Sequence, residues 1–151
     1  MLARAMADPP PNFTGTFKHY FDGGRVCCEV PYRDGVVEGE GLMYYSSGGL
    51  YAKETYAAGA LNGLTTTYYP TGVMQAELRY AAGLLDGVAR EYFPSGRLES
   101  VAEYKGGKRH GLCVVYTEAG LVDRRDTYAD GERVKSEPGA GTEPLPETHR
   151  Q

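Results

Sequence analysis

The sequence predicts an all-β fold, a single-layer twisted antiparallel sheet built from consecutive β-hairpins. Composition is the first reason: the 151 residues include 21 glycines and 13 tyrosines but no tryptophan. Each glycine inside a helix costs about 1 kcal/mol relative to alanine, so a chain this rich in glycine is a poor helical bundle. Strict internal periodicity is the second reason. The third is the turn chemistry inside each repeat.

The repeat consists of five units of 24 residues without an insertion. Such a fixed period is the signature of a stacked repeat architecture. We therefore divide the chain into a lead-in and cap at 1–14, five units over 15–134, and a tail at 135–151 that is rich in proline, glycine and glutamate and is predicted to be disordered. The leading column is Gly15, Gly39, Gly63, Gly87 and Gly111, and four further columns start at Tyr20, Gly24, Tyr32 and Gly35 and recur every 24 residues.

Each unit is predicted to hold two short strands and two turns. In the fourth unit the first strand runs from Val88 to Phe93. A three-residue loop, Pro94-Ser95-Gly96, follows, and its glycine can adopt a positive φ. The second strand runs from Arg97 to Tyr104, and a turn around Gly107 leads into the next unit. Short strands at this regular spacing are typical of consecutive hairpins.

The loop also predicts which side chains share a face. It places Tyr92 opposite Leu98, and strict alternation then puts both tyrosine columns on one apolar face, with a mostly polar face behind it. No second layer is evident to cover that face, so we expect an exposed aromatic groove that binds a partner. Core packing is the alternative role for these rings. The groove candidates are Tyr44, Tyr68, Tyr92, Tyr116, Tyr56, Tyr80 and Tyr104.

Charge and cysteine content limit the other possibilities. A net charge of −4 argues against nucleic acid, whose phosphates need a basic stripe, and also against a membrane surface. No apolar run of 18 residues and no secretory signal is evident. Three cysteines, two of them adjacent, do not form a disulfide framework, so the prediction is a cytoplasmic protein.

No residue set predicts an enzyme, a cofactor or a metal. Neighbouring residues of a strand point to opposite faces, so Cys27 and Cys28 are expected not to share a metal ion. His110 lies in the repeat column of Asn62 and Asp86, which suggests a role in a turn rather than a site with Cys113. Gly106-Gly107-Lys108 connects strands and does not open a helix, which excludes a phosphate-binding loop.

One turn is basic. Lys105, Lys108 and Arg109 cluster there. They are either an ordinary solvated surface or a docking patch for an acidic partner or, more weakly, for anionic lipid.

These columns resemble the MORN repeat variant of about 24 residues. The stretches Tyr68 to Gly72, Tyr80 to Gly87 and Glu103 to Gly111 carry the resemblance. Glu40, Thr117 and the pair Arg124 and Asp126 depart from it, and the last pair suggests a C-terminal cap. The variant occurs in proteins similar to YwqK-type bacterial antitoxins, and the family has no catalytic residue set.

The resemblance implies a non-enzymatic protein-binding module, an antitoxin or immunity protein that occludes a partner toxin. The alternative that it implies is a structural scaffold that docks at a membrane surface or self-associates. Unpaired strands at the two ends of the sheet would favour end-to-end self-association.

Overall fold

The computed structural model describes residues 8–140 as one antiparallel sheet, which confirms the predicted fold class. Eleven strands follow one another across the sheet, and three two-residue strands lie beside them. No helix in the described part of the chain is long and apolar enough to cross a membrane.

The strands are β1 (Gly15–Tyr20), β2 (Val26–Arg33), β3 (Val36–Val37), β4 (Gly39–Tyr44), β5 (Leu50–Ala57), β6 (Ala60–Leu61), β7 (Gly63–Tyr68), β8 (Met74–Ala81), β9 (Leu84–Leu85), β10 (Gly87–Tyr92), β11 (Leu98–Lys105), β12 (Lys108–Tyr116), β13 (Val122–Ala129) and β14 (Glu132–Pro138).

Two kinds of connection alternate along the chain. The predicted three-residue loop is present: the Phe93 amide donates to the Arg97 carbonyl at 2.8 Å, and the Gly96 amide donates to the Phe93 carbonyl at 2.8 Å. Between units a two-residue turn reverses the chain, as at Ala82-Gly83, where φ is 48° and 83°. Two successive positive φ values define the type I′ turn, whose twist matches that of the flanking strands.

A β-bulge in every three-residue-loop hairpin overturns the predicted face assignment. Tyr92 lies opposite Leu98 as expected, but the next pair is Glu91 with Ser100, so Glu99 is an extra residue. An extra residue inverts the alternation beyond it. The expectation that both tyrosine columns share one face is therefore wrong. The same shift recurs in the other hairpins with this loop, where the extra residues are Cys27, Tyr51, Gln75 and Asp123.

The sheet consequently has two different faces, each with one row of tyrosines. We call the first the alanine face because small buried residues line its centre. The second tyrosine row lies on that face and comprises Tyr32, Tyr56, Tyr80, Tyr104 and Tyr128, whereas the opposite, mixed face carries charged side chains and the first tyrosine row, Tyr20, Tyr44, Tyr68, Tyr92 and Tyr116. The small residues of the alanine face are Ala52, Ala76, Ala89, Ala102 and Cys113, each at most 8% exposed.

Pairing across each hairpin relates two of the repeat columns. The leading glycine of a unit lies directly opposite the second-row tyrosine of the same unit, as Gly87 lies opposite Tyr104. Gly87 has a φ of 111°, which favours glycine, and an added Cβ there would meet the Arg79 side chain of β8. The Tyr56 ring instead contacts Gly41, where an added Cβ would be 3.2 Å from the ring.

The ends of the array differ from the prediction at one boundary. Phe13 packs its ring edge against Phe17 and Tyr32, with centroids 5.8 and 6.1 Å away, and covers the first unit as expected of a cap. At the other end β14 pairs with β13 as far as Pro138. The prediction that disorder begins at residue 135 is therefore wrong for 135–138. The predictions for 1–7 and 141–151 lie outside the described residues.

Candidate protein-binding site

The first tyrosine row is fixed by carboxylates at two of its positions. The Tyr44 hydroxyl donates to Glu29 at 2.9 Å, and the Tyr92 hydroxyl donates to Glu77 at 2.8 Å. Partial burial and then the adjacent carboxylate raise the pKa of both phenols, so they remain protonated donors. These two hydroxyl groups are already engaged within the sheet.

The same position in the fifth unit has a different environment. Val101 occupies the repeat position that Glu29 and Glu77 occupy in earlier units. It lies beside Tyr116 in the same way that Glu77 lies beside Tyr92. Among residues 8–140 we find no hydrogen-bond acceptor for the Tyr116 hydroxyl. Its neighbours on this face are aliphatic residues of β11, β12 and β13, together with Arg125 of β13, which lies directly opposite Val114. We call this part of the mixed face the apolar platform, formed by Leu98, Val101, Leu112, Val114, Tyr116 and Val122.

A cleft opens at the loop end of the apolar platform. It has a volume of about 440 Å³ and is lined by Leu98 and Tyr116 together with Arg97, Ala119 and Gly120. The Arg97 guanidinium donates to the Glu118 carbonyl at 2.7 Å and so holds the rim in place. Because that donor is engaged, the cleft combines an apolar floor with an ordered polar edge.

The repeat provides an internal comparison for this cleft. The equivalent cleft three units earlier is lined by Arg25, Val26, Glu29, Tyr44 and Gly48 and has a volume of about 270 Å³. Arg25 holds its rim in the same way, donating to the Ser47 carbonyl at 2.7 Å. The difference lies in the floor, where Glu29 binds the tyrosine hydroxyl. The repeat therefore carries one charged and one apolar version of the same cleft.

The second tyrosine row serves the interior of the alanine face. The Tyr56 hydroxyl donates to Glu54 on the same strand. Burial, followed by the Glu54 carboxylate, raises the pKa of Tyr56. The structure therefore separates Tyr56, Tyr80 and Tyr104 from the other four groove candidates, so the seven tyrosines do not form one groove.

The three residues of the basic turn differ in the contacts that they make. Arg109 donates to the hydroxyl groups of Tyr104 and Tyr128 at 3.2 and 3.3 Å and lies 5.3 Å from the Tyr128 ring centroid. These hydrogen bonds raise the pKa of the guanidinium further. Lys105 and Lys108 instead flank the Gly106-Gly107 turn and are exposed. All three side chains are exposed, but Arg109 is held by these contacts, whereas no hydrogen bond or ion pair is found for the two lysine side chains among residues 8–140.

The turn role predicted for His110 is wrong, because His110 lies within β12, but two of its repeat equivalents do bond to turns. The Asn62 side chain accepts from the Ala82 amide at 3.3 Å, and Asp86 accepts from the Gly106 amide at 3.2 Å. His110 itself lies within β12 and is exposed. Within the described residues, no group of three or more His, Cys, Asp or Glu side chains is placed to hold a metal ion.

Comparison with known protein families finds a repeat family that matches part of the array. The family model described as the MORN repeat variant matches residues 37–58, 61–82 and 85–105, and each match begins two residues before the second, third or fourth unit. The fold of consecutive hairpins is consistent with this match, which covers less than half of the chain. The match does not reach the YwqK-type proteins, so that closer resemblance stays a prediction.

Two further comparisons give no guide to function. No curated protein matches the chain. Among solved structures, a crystal structure of a GtfA/B complex bound to UDP and GlcNAc is similar at 16% identity and a TM-score of 0.32. The likeness covers 76% of this chain and 24% of that chain, and a TM-score this low carries no argument.

Proposed function

We propose that this protein is a non-enzymatic binding module whose apolar platform contacts a partner protein. The observation that carries the proposal is the replacement of a glutamate by Val101 beside Tyr116. This change leaves apolar surface and an available phenol on a sheet face with no covering layer in residues 8–140. Contiguous exposed apolar surface on a monomer usually marks an interaction site.

Tyr116 suits the role of an anchor. A tyrosine offers a large contact area at low entropic cost, and tyrosines are enriched among the residues that dominate binding energy. Leu112, 45% exposed, extends the platform away from the loops. The favoured partner surface is therefore an apolar segment that presents a hydrogen-bonding group to the Tyr116 hydroxyl.

The finer hypothesis is that the partner is a toxin and that binding occludes it. This rests on the resemblance to antitoxins and on a rigid sheet that offers a preformed surface. Preformed surfaces lose little conformational entropy on binding. The absence of a nucleophile–base arrangement in the sequence is the reason for proposing binding rather than catalysis.

The substitution Val101→Glu tests the proposal directly. It places a carboxylate where Glu77 already stands in the preceding unit, so the fold should tolerate it, while the platform gains a charge and the Tyr116 hydroxyl gains an acceptor. Loss of an anchoring contact should weaken partner binding by about 30-fold or more, the effect of a change of about 2 kcal/mol. Isothermal titration with the protein encoded beside this one in the genome would measure it.

Lys53→Glu is the matched control. It introduces the same side chain at the same repeat position two units earlier, outside the apolar platform. Binding by this variant should remain close to wild type. Equal weakening by both variants, or by neither, would contradict the platform. The antitoxin hypothesis has its own readout, since relief of growth arrest by the wild type should be lost with Val101→Glu.

A further inference from the structure

The β-bulge in the first unit brings two thiols together. Cys28 lies opposite His19, Val26 lies opposite Tyr20, and Cys27 is the extra residue between them. Regular alternation would have placed the two side chains on opposite faces. In the bulge the Cys27 sulfur lies 3.8 Å from the Cys28 sulfur. The premise that the two side chains point to opposite faces of the strand is therefore wrong.

The separation of the sulfurs suits a bridging metal ion better than a disulfide. Two thiolates bound to one ion at about 2.3 Å are about 3.8 to 4.0 Å apart for S–metal–S angles between tetrahedral and trigonal. A disulfide would need the sulfurs to approach to about 2.05 Å. Hence the pair can chelate an ion with little movement, whereas oxidation would require the bulge to deform.

A third sulfur lies on the neighbouring strand. Met43 of β4 is directly opposite Cys28 of β2. Directly opposite residues have Cβ atoms about 5 Å apart, within reach of a flexible thioether. Cys27, Cys28 and Met43 are each only partly exposed, so the three sulfurs are sheltered but accessible.

We propose that Cys27 and Cys28 bind one monovalent soft metal ion, Cu(I), with the Met43 thioether as a third donor. Thiolate and thioether ligands select Cu(I), which needs fewer ligands than a structural zinc site. Zinc is disfavoured because no third His, Cys, Asp or Glu completes a cluster within the described residues. His19 also lies opposite Cys28, but its ring packs edge-on against Phe17, with centroids 5.1 Å apart. The site is separate from the apolar platform and does not depend on the proposed function.

Competition for Cu(I) tests the site. The fully reduced chain, kept without oxygen, is added to the coloured complex of Cu(I) with bicinchoninate, and the loss of colour reports transfer of the ion. We expect one equivalent to transfer per chain. Cys27→Ser and Cys28→Ser should each weaken binding more than the about 10- to 100-fold typical of losing an outer-shell partner. Met43→Leu should weaken it less.

Cys113→Ser is the control, because this third thiol is buried on β12. It should take up Cu(I) like the wild type. A thermal melt provides a second measurement: Cu(I) should raise the Tm of the wild type and of Cys113→Ser but not of Cys27→Ser, since only binding to the native state stabilises it. The proposal is overturned if the wild type takes up no ion, if the Cys27 and Cys28 variants bind as well as the wild type, or if zinc displaces Cu(I) at equal concentration.

Discussion

Two alanines occupy backbone positions that suit asparagine or glycine. Ala58 and Ala82 begin two-residue turns with φ of 50° and 48°, while the equivalent turns begin with Asp34, Gly106 and Asp130. A left-handed conformation costs an ordinary L-residue about 1–2 kcal/mol, and asparagine tolerates it because its side chain bonds locally. Asn-Gly is the preferred sequence of this turn.

Ala82→Asn should therefore stabilise the protein. We expect the free energy of unfolding to rise by about 1 kcal/mol, measured by urea denaturation, because the strain is relieved while the turn retains its following Gly83. Ala81→Asn is the control: Ala81 is exposed at the end of β8 and has no positive φ, so this change should not stabilise. A gain of equal size from the control would indicate a general effect of polarity.

Single residues also explain how far the sequence could predict the structure. The glycine and tyrosine columns predicted the repeat, its hairpins and the loop at Pro94, because backbone conformation dictates those residues. The bulge residues share no such chemistry, since they include Cys27, Tyr51 and Glu99. The inverted alternation was therefore missed. Tyr116 was among the predicted groove residues, but the apolar platform was not predicted. Comparing Val101 with Glu77 and Glu29 across units would have indicated it.

At the level of elements, neighbouring units are tied by aromatic hydroxyl groups at the three-residue loops. Tyr45 donates to the Tyr68 carbonyl at 2.6 Å, and Tyr69 donates to the Tyr92 carbonyl at 2.7 Å. Each bond joins the end of one unit's first strand to the same point of the next. The fourth unit has Phe93 at this position and cannot make the bond to Tyr116.

Two substitutions at this position should have opposite effects. Tyr69→Phe removes a partly buried hydrogen bond and should lower the free energy of unfolding by about 1 kcal/mol. Phe93→Tyr supplies the missing hydroxyl and should raise it by up to a similar amount, by analogy with Tyr69. Urea denaturation measures both. Tyr51→Phe, at an exposed ring, is the control and should change little. The same sign for both changes would show that the hydroxyl does not link the units.

For the whole molecule, the last unit ends the array differently from the units before it. Asp126 occupies the central row of the alanine face where Ala102 stands one unit earlier, and it is 2% exposed. Ser136 donates to its carboxylate at 2.6 Å and Arg124 at 3.1 Å. The hydrogen bond from Ser136, followed by the one from Arg124, lowers the pKa of the Asp126 carboxyl group. Because Ser136 of β14 donates to this buried carboxylate, Asp126 favours pairing of β13 with one further strand over the stacking of another unit.

That final strand also protects the end of the described sheet. Every residue of β14 is exposed, and it carries Lys135 and Glu137, paired at 2.7 Å, before ending at Pro138. Charges and proline at an edge oppose pairing with another chain. These features disfavour strand pairing at this edge, and we therefore expect the protein to sediment as a monomer.

The double variant Lys135→Val with Glu137→Val should change that behaviour. It removes two of the four charged side chains of β14 and replaces them with β-branched residues, which favours strand pairing between molecules. Sedimentation velocity over a range of concentrations should then show dimers or larger species that are absent in the wild type. The same double substitution of Lys53 and Thr55 on the internal strand β5, whose edges are already paired, is the control and should remain monomeric. Association of the wild type at equal concentration would show that the charges of β14 do not protect the edge. That result would support the scaffold hypothesis.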